Sequence, residues 1–352
     1  RDLRRSRGLG DVYKRQDEAR TFGMDALFKV AGIYSPDGQR YTPVDAEALN
    51  SYREAIDGQI LQEGICEAGA IASFIAAGTA YATFAVPTIP FYIFYSMFGF
   101  QRVGDMIWAS ADMMARGFLL GGTAGRTTLN GEGLQHQDGH SPVLASTVPS
   151  VRTYDPAFSW ELAILVRYGI QRMFIEDHDE LFYLMMYNEA VPMPPRPAHA
   201  DLDEGVIRGG YLLEPASGKG RRVNLLGSGT ILFEVMEAAS RLRADGYAVA
   251  VYSITSYVEL ARDAERAEQS TLSGHVEAAW LNELFSESGV PTVAATDYVR
   301  ALPRMIASWL PGPFVALGTD GFGMSERRED LRAHFKVDAE SIAEAARKLT
   351  AD

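Results

Sequence analysis

The stretch QILQEGICEAGAIASFIAAGTAY (Gln59–Tyr81), followed by IPFYIFY (Ile89–Tyr95) and FQRVGDMIWASADMMARG (Phe100–Gly117), decides how this chain is read. In the first segment Leu61, Ile65, Ala68, Ala72 and Ile75 recur at steps of four and three, which predicts a helix. The second has the β-branched and aromatic content of a buried strand, and the third returns to helical periodicity. Outward from there the alternation continues. GFLLGGTAG (Gly117–Gly125) reads as a strand entering a glycine-rich loop, Pro156–Arg172 as a helix, and LFYLMMYN (Leu181–Asn188) as a buried strand. This is the pattern of an α/β protein with mostly parallel sheets. Residues 191–220, rich in Pro, Gly and charge, read as a connection between two domains. A second α/β unit comes after it: strand VNLLGSG, a helix from Thr230 to Ala244, strand YAVAVYSIT, helix HVEAAWLNELF, strand TVAATDY and a helix from Asp338 to Leu349.

Bulk properties narrow the function classes. The 352 residues suffice for two domains, and 47% hydrophobic residues suffice to fill a core in each. A net charge of −13 argues against nucleic-acid or anionic-membrane partners, which require a basic face, and favours a cytoplasmic enzyme. The single cysteine, Cys66, excludes an internal disulfide and is expected to be a small buried hydrophobe. No charge falls between Glu67 and Arg102, but Pro87 and Pro90 divide that run into pieces too short for a membrane span. Residues 1–16, RDLRRSRGLGDVYKRQ, carry six basic and two acidic side chains, in contrast to the acidic remainder of the chain, and read as a non-native tail.

Several motifs admit more than one reading. LLGSGT offers Gly227 and Gly229 as two glycines of a dinucleotide fingerprint, but Leu232 stands at the third position, so a tight strand-to-helix turn fits better. GEGLQHQDGH gathers Glu132, His136, Asp138 and His140; an active-site loop, a metal site and an ordinary loop all remain open, although the glycines argue against a helical zinc pair. Glu67 opens the uncharged run, and burial there would let its carboxyl hold or relay a proton. A solvated helix-face glutamate is the plainer alternative.

Longer strings carry a specific likeness. DEARTFGM (Asp17–Met24), GIYSPDGQRYTP, GQILQEGICEAGA, PTIPFYIFYSMFGFQRVGD, ARGFLLGGTAGRTTLNGEGLQHQDGHS, TDYVRALP and LGTDGFGMSERREDLRAHF resemble, in order and spacing, the homodimeric-type pyruvate dehydrogenases. The resemblance implies an incomplete thiamine-diphosphate-binding, transketolase-like fold. It implies a pyrimidine-binding domain at 17–190, a linker at 191–220 and a C-terminal domain at 221–352. It implies the cofactors thiamine diphosphate and Mg²⁺, the substrate pyruvate, and as partners a second copy in a homodimer and the lipoyl domain of the acetyltransferase component. By the same resemblance Glu67 contacts the aminopyrimidine, Phe98 packs on its face, Tyr95 lines the wall, and His136 and Glu18 are active-site residues, with Asp17 and His140 as further candidates. Two departures stand out. No GDG…Asn motif, the source of diphosphate and magnesium ligands in thiamine enzymes, occurs in the sequence, and Gln137 stands where the family usually has an acidic residue. The ligands of the diphosphate half are therefore expected from outside this chain. A transketolase-type two-carbon transfer enzyme and a non-catalytic scaffold are the alternatives.

Overall fold

The computed structural model describes residues 10–15, 25–42, 53–129, 133–198 and 201–351. Asp17, Glu18 and Glu132 lie outside the described residues. The chain divides into two compact units. One comprises residues 1–122, 148–151 and 169–183, and the other 123–147, 152–168 and 184–352.

Eight strands form the first sheet: β1 Gly10–Arg15, β2 Ile33–Tyr34, β3 Glu54–Ala55, β4 Ile60–Gln62, β5 Thr88–Tyr95, β6 Gly117–Gly122, β7 Val151–Tyr154 and β8 Leu181–Met185. Their order is β3-β2-β4-β1-β5-β6-β8-β7. β1 lies parallel to β4 and β5, β2 to β3 and β4, and β5 to β6. The helices of this part of the chain are α1 Asp25–Ala31, α2 Glu67–Gly78, α3 Ala80–Phe84, α4 Gly99–Asp112, α5 Ser141–Ala145 and α6 Ser159–Ile170. α2 packs on β5 and on α4. Its inward face carries Ala70, Ile71 and Phe74, which are fully buried with Tyr92 and Phe94 of β5. β1 draws six of the first sixteen residues into the sheet; ladder hydrogen bonds come from the backbone and make little demand on side-chain charge.

The helix predicted from Gln59 begins later, at Glu67. Residues 60–62 pair as β4, and Gly64 adopts φ +66°, a left-handed turn that separates strand from helix. Cys66 then takes the N-cap position, its sulfur accepting from the Gly69 N–H at 3.4 Å. It is exposed rather than buried, because an N-cap residue sits outside the helix barrel. No helix among the described residues is long and apolar enough to cross a membrane.

The second sheet comprises β9 Tyr211–Glu214, β10 Arg222–Gly227, β11 Ala248–Ser253, β12 Thr292–Ala295 and β13 Phe314–Leu317, in the order β13-β12-β10-β11-β9. β9 pairs antiparallel with β11, and the other pairs are parallel. With them run α7 Leu202–Arg208, α8 Ile231–Ala244, α9 Tyr257–Leu272, α10 Trp280–Leu284, α11 Ala301–Arg304, α12 Arg328–Phe335 and α13 Ala339–Leu349. α8 covers β10 and β11, and α13 packs on α8, β12 and β13. Leu225, Val235, Leu242, Val251, Val293 and Ile342 fill the space between them. The segment read as a connection contains α7 and β9.

Candidate functional site

In the first unit the end of β5 and the start of α2 bring three predicted residues to one place. Glu67, the first residue of α2, is 8% exposed although its neighbours Ile65 and Cys66 face solvent. A carboxylate so placed needs a partner. It finds one in Arg102, whose Nη1 lies 2.7 Å from Glu67 Oε1. The Tyr92 hydroxyl donates to the Glu67 carbonyl at 3.4 Å. The Arg102 guanidinium lies 4.0 Å above the centre of the Phe98 ring, and Phe98 meets Tyr95 edge-on, with centroids 6.2 Å apart and planes at 75°. Glu67, Arg102, Phe98 and Tyr95 therefore form one continuous constellation.

Arg102 is the member that sequence reading passed over. Its signal was present: Glu67 and Arg102 are the two charges that bracket the uncharged run, and folding closes them on each other. Removing the guanidinium leaves Glu67 buried with a lost charge-assisted hydrogen bond. Arg102→Met is therefore expected to lower stability by about 1–3 kcal/mol, less than for a fully buried pair because the Arg102 side chain is half exposed. Urea midpoints measured at constant slope check it; an unchanged midpoint would mean that water replaces the arginine at no cost.

Glu63 does not lie on the helix. It precedes Gly64, and its Oε1 accepts from the Ser73 hydroxyl.

His136 and His140 share a loop in the second unit. His136 is half-buried and ends a short turn held by its N–H to the Gly133 carbonyl at 2.9 Å. His140 precedes α5, and its Nδ1 lies 3.9 Å from Asp138 Oδ1. Asp138 is fully buried and accepts from the N–H groups of His140 and Ser141 at 3.0 and 2.9 Å, an N-terminal cap for α5. No three metal-ligating side chains converge among the described residues.

The LLGSGT turn joins β10 to α8, and Gly229, at φ +50°, donates its N–H to the Asp155 carbonyl at 3.2 Å. A Cβ there would come within 2.7 Å of Asp155 Oδ1 and 2.3 Å of the Tyr187 hydroxyl. The buried Asp155 side chain thus stands where a phosphate would need to approach, which favours the plain turn. Asp155 accepts from the Tyr187 hydroxyl, and burial pushes its carboxyl up to about 7, opposed by the hydroxyls of Tyr187 and Ser228 and reinforced by Asp297 and Glu161.

Comparison with known proteins places these features. The fold is that of transketolase-like α/β proteins: a transketolase from Leishmania mexicana superposes with a TM-score of 0.71 at 16% identity, covering 97% of this chain and 43% of that one. A chain described as a split gene transketolase, inactive beta4 tetramer, gives a TM-score of 0.63 at 16% identity, covering 97% of this chain and 92% of that one. Residues 6–194 match the pyruvate dehydrogenase E1 component middle domain, and residues 209–338 match the transketolase-like C-terminal domain. The chain belongs to the pyruvate dehydrogenase E1 component family. The pyruvate dehydrogenase E1 component of Corynebacterium glutamicum is 51% identical over 353 residues, which are 98% of this chain and 38% of that protein. The corresponding protein of Escherichia coli K12 is 48% identical over 336 residues, 94% of this chain and 37% of its own length. The chain thus spans less than two fifths of the curated relatives it matches.

Proposed function

We propose that this chain supplies the aminopyrimidine side of the site in a thiamine-diphosphate-dependent pyruvate dehydrogenase. The observation that carries this reading is the Glu67–Arg102–Phe98–Tyr95 constellation in a chain of the E1 family. One carboxylate beside two aromatic rings suits a flat nitrogen heterocycle. It is a poor donor set for a hydrated magnesium ion, which takes several oxygen ligands. In this reading residues 17–190 form the pyrimidine-binding domain and 221–352 the C-terminal domain. Mg²⁺ and diphosphate ligands come from elsewhere in the complete protein, a cytoplasmic homodimer.

When bound, the cofactor supplies an electron sink for decarboxylation of a 2-oxo acid. Glu67 holds or moves a proton at a ring nitrogen of the aminopyrimidine, and Arg102 fixes the direction from which the carboxyl reaches it. Phe98 gives the ring a face to pack on, and Tyr95 closes the wall beside it. The resemblance gives His136 the positioning of pyruvate, makes Glu18 an active-site residue, and leaves His140 and Asp17 as further candidates. The two-carbon unit passes to the lipoyl group of the acetyltransferase component.

The test is a chimera in which residues 17–352 replace the matching portion of the Corynebacterium glutamicum relative. It is expected to release carbon dioxide from pyruvate in a reaction that requires added thiamine diphosphate. The 352-residue chain alone is expected to release none, because its sequence carries no GDG…Asn motif to hold the diphosphate and magnesium. A folded chimera that binds the cofactor but turns over another 2-oxo acid or a ketose and leaves pyruvate untouched sinks the substrate assignment.

A further inference from the structure

TDYVRALP (residues 296–303) and the start of LGTDGFGMSERREDLRAHF (residue 317 onward) contribute no group to the proposed chemistry, yet both close on the loop that carries His136. The Val299 N–H donates to the Gly139 carbonyl at 2.7 Å. Arg126, 3% exposed, donates to the Thr319 carbonyl, and the Thr319 hydroxyl donates to the Asp297 carbonyl at 2.8 Å. The Asp297 carboxylate in turn accepts from the N–H groups and hydroxyls of Thr127 and Thr128 at 2.6–3.0 Å. The most specific link is Gln137, next to His136 and 2% exposed. Its Nε2 donates to the Leu129 carbonyl at 3.2 Å and to the Met324 carbonyl at 2.8 Å, while its Oε1 accepts from the Met324 N–H at 2.8 Å. A Cβ on Gly323 would lie 2.3 Å from Oε1, so the amide is seated against bare backbone.

We propose that Gln137 is a positioning residue, a two-way amide clamp that fixes the His136 loop onto the Gly323–Met324 turn and thereby sets where the imidazole stands. It deepens the reading above and rests on His136 belonging to the site. The chemistry of the contact selects the side chain. An amide presents a donor and an acceptor at once, matching the carbonyl and N–H of Met324, whereas an ionised carboxylate only accepts and would face two carbonyl oxygens. A glutamate here would reproduce the clamp only while it holds a proton. Among the described residues of the two loops, charged side chains are engaged: Arg126 with Thr319, Asp138 with the start of α5, His140 beside Asp138, Asp320 with Arg300, Glu326 with the Arg327 N–H, Arg327 with Asp330, and Arg328 with the Thr128 carbonyl at 2.6 Å. Gln137 holds the loop irrespective of pH.

The experiment uses the full-length protein without pyruvate or cofactor. Hydrogen–deuterium exchange of the peptide containing Met324 and the ¹⁵N-histidine resonance of His136, assigned by its loss in His136→Asn, are followed from pH 6 to 8.5. The parent is expected to keep its protection factor throughout. Gln137→Glu should match the parent at pH 6 and lose tenfold or more by pH 8.5, with the His136 resonance moving in step; Gln137→Met should lose that protection at every pH. Parent-like protection and an unmoved His136 signal in Gln137→Glu at pH 8.5, or in Gln137→Met, overturn the clamp. Because neither readout involves pyruvate, failure of the substrate assignment shows separately, as an intact clamp in a protein that does not decarboxylate it.

Discussion

Glu67→Gln in the complete enzyme is expected to slow cofactor activation by about 10²–10⁴ while leaving thiamine diphosphate affinity nearly unchanged. Affinity is spread over many contacts, most of them expected outside this chain. In the proposed function, activation depends on one proton moving at one ring nitrogen, a step worth about 3–5 kcal/mol of barrier. The geometry makes glutamine a clean probe: its carbonyl still accepts from Arg102, so the guanidinium keeps its place over Phe98, and what is lost is the exchangeable proton. Hydrogen–deuterium exchange at the thiazolium carbon, followed by quenched-flow NMR, reads activation directly. Glu63→Gln is the control. Glu63 lies in the turn before α2 and accepts from Ser73, so its loss should perturb local structure and leave exchange fast. Parent-like exchange in Glu67→Gln would remove Glu67 from the role. Slow exchange in Glu63→Gln alone would transfer the role across Gly64.

Why some elements are legible in the sequence and others are not depends on what each signal measures. β5, β6, β8 and β10–β12 are read correctly because buried strands of a parallel sheet need continuous apolar, β-branched or aromatic runs. The start of α2 is misplaced because the three-residue β4 is too short to show a period of two, and its Leu61 continues the helical pattern by chance. α9 escaped reading although Ser256 and Glu259 form the sequence signature of a capped helix start, and the Ser256 hydroxyl does accept from the Glu259 N–H at 2.9 Å. The helix read over HVEAAWLNELF shrinks to Trp280–Leu284. In the site, Glu67, Phe98 and Tyr95 stand in contiguous strings and could be found there, but their pairing through Arg102 is tertiary. The Gln137–Met324 contact joins residues 187 apart, a distance over which no local pattern carries information.

Asp155→Asn is expected to flatten a decline of stability with pH that is expected of the parent between about pH 4 and 7. Asp155 sits just past β7, 4% exposed, with the Tyr187 hydroxyl donating to it. Burial raises that carboxyl to about 7, so the folded chain keeps a proton that the unfolded chain has already released. Stability from this group is fully present below the unfolded value of about 3.9 and is lost as pH rises through about 7, with linkage capping the loss near 4 kcal/mol. Asparagine keeps an acceptor for Tyr187 and has no proton to lose. Glu161 and Asp297, also raised by burial, add slopes of the same sign, so the informative quantity is the difference between parent and variant. Urea midpoints of both proteins at half-unit steps from pH 5 to 8 give that difference, which should grow in favour of the variant as pH rises. Parallel curves would show that Tyr187 and Ser228 hold Asp155 ionised throughout, and that the close approach of Gly229 is made to a charge instead of an acid.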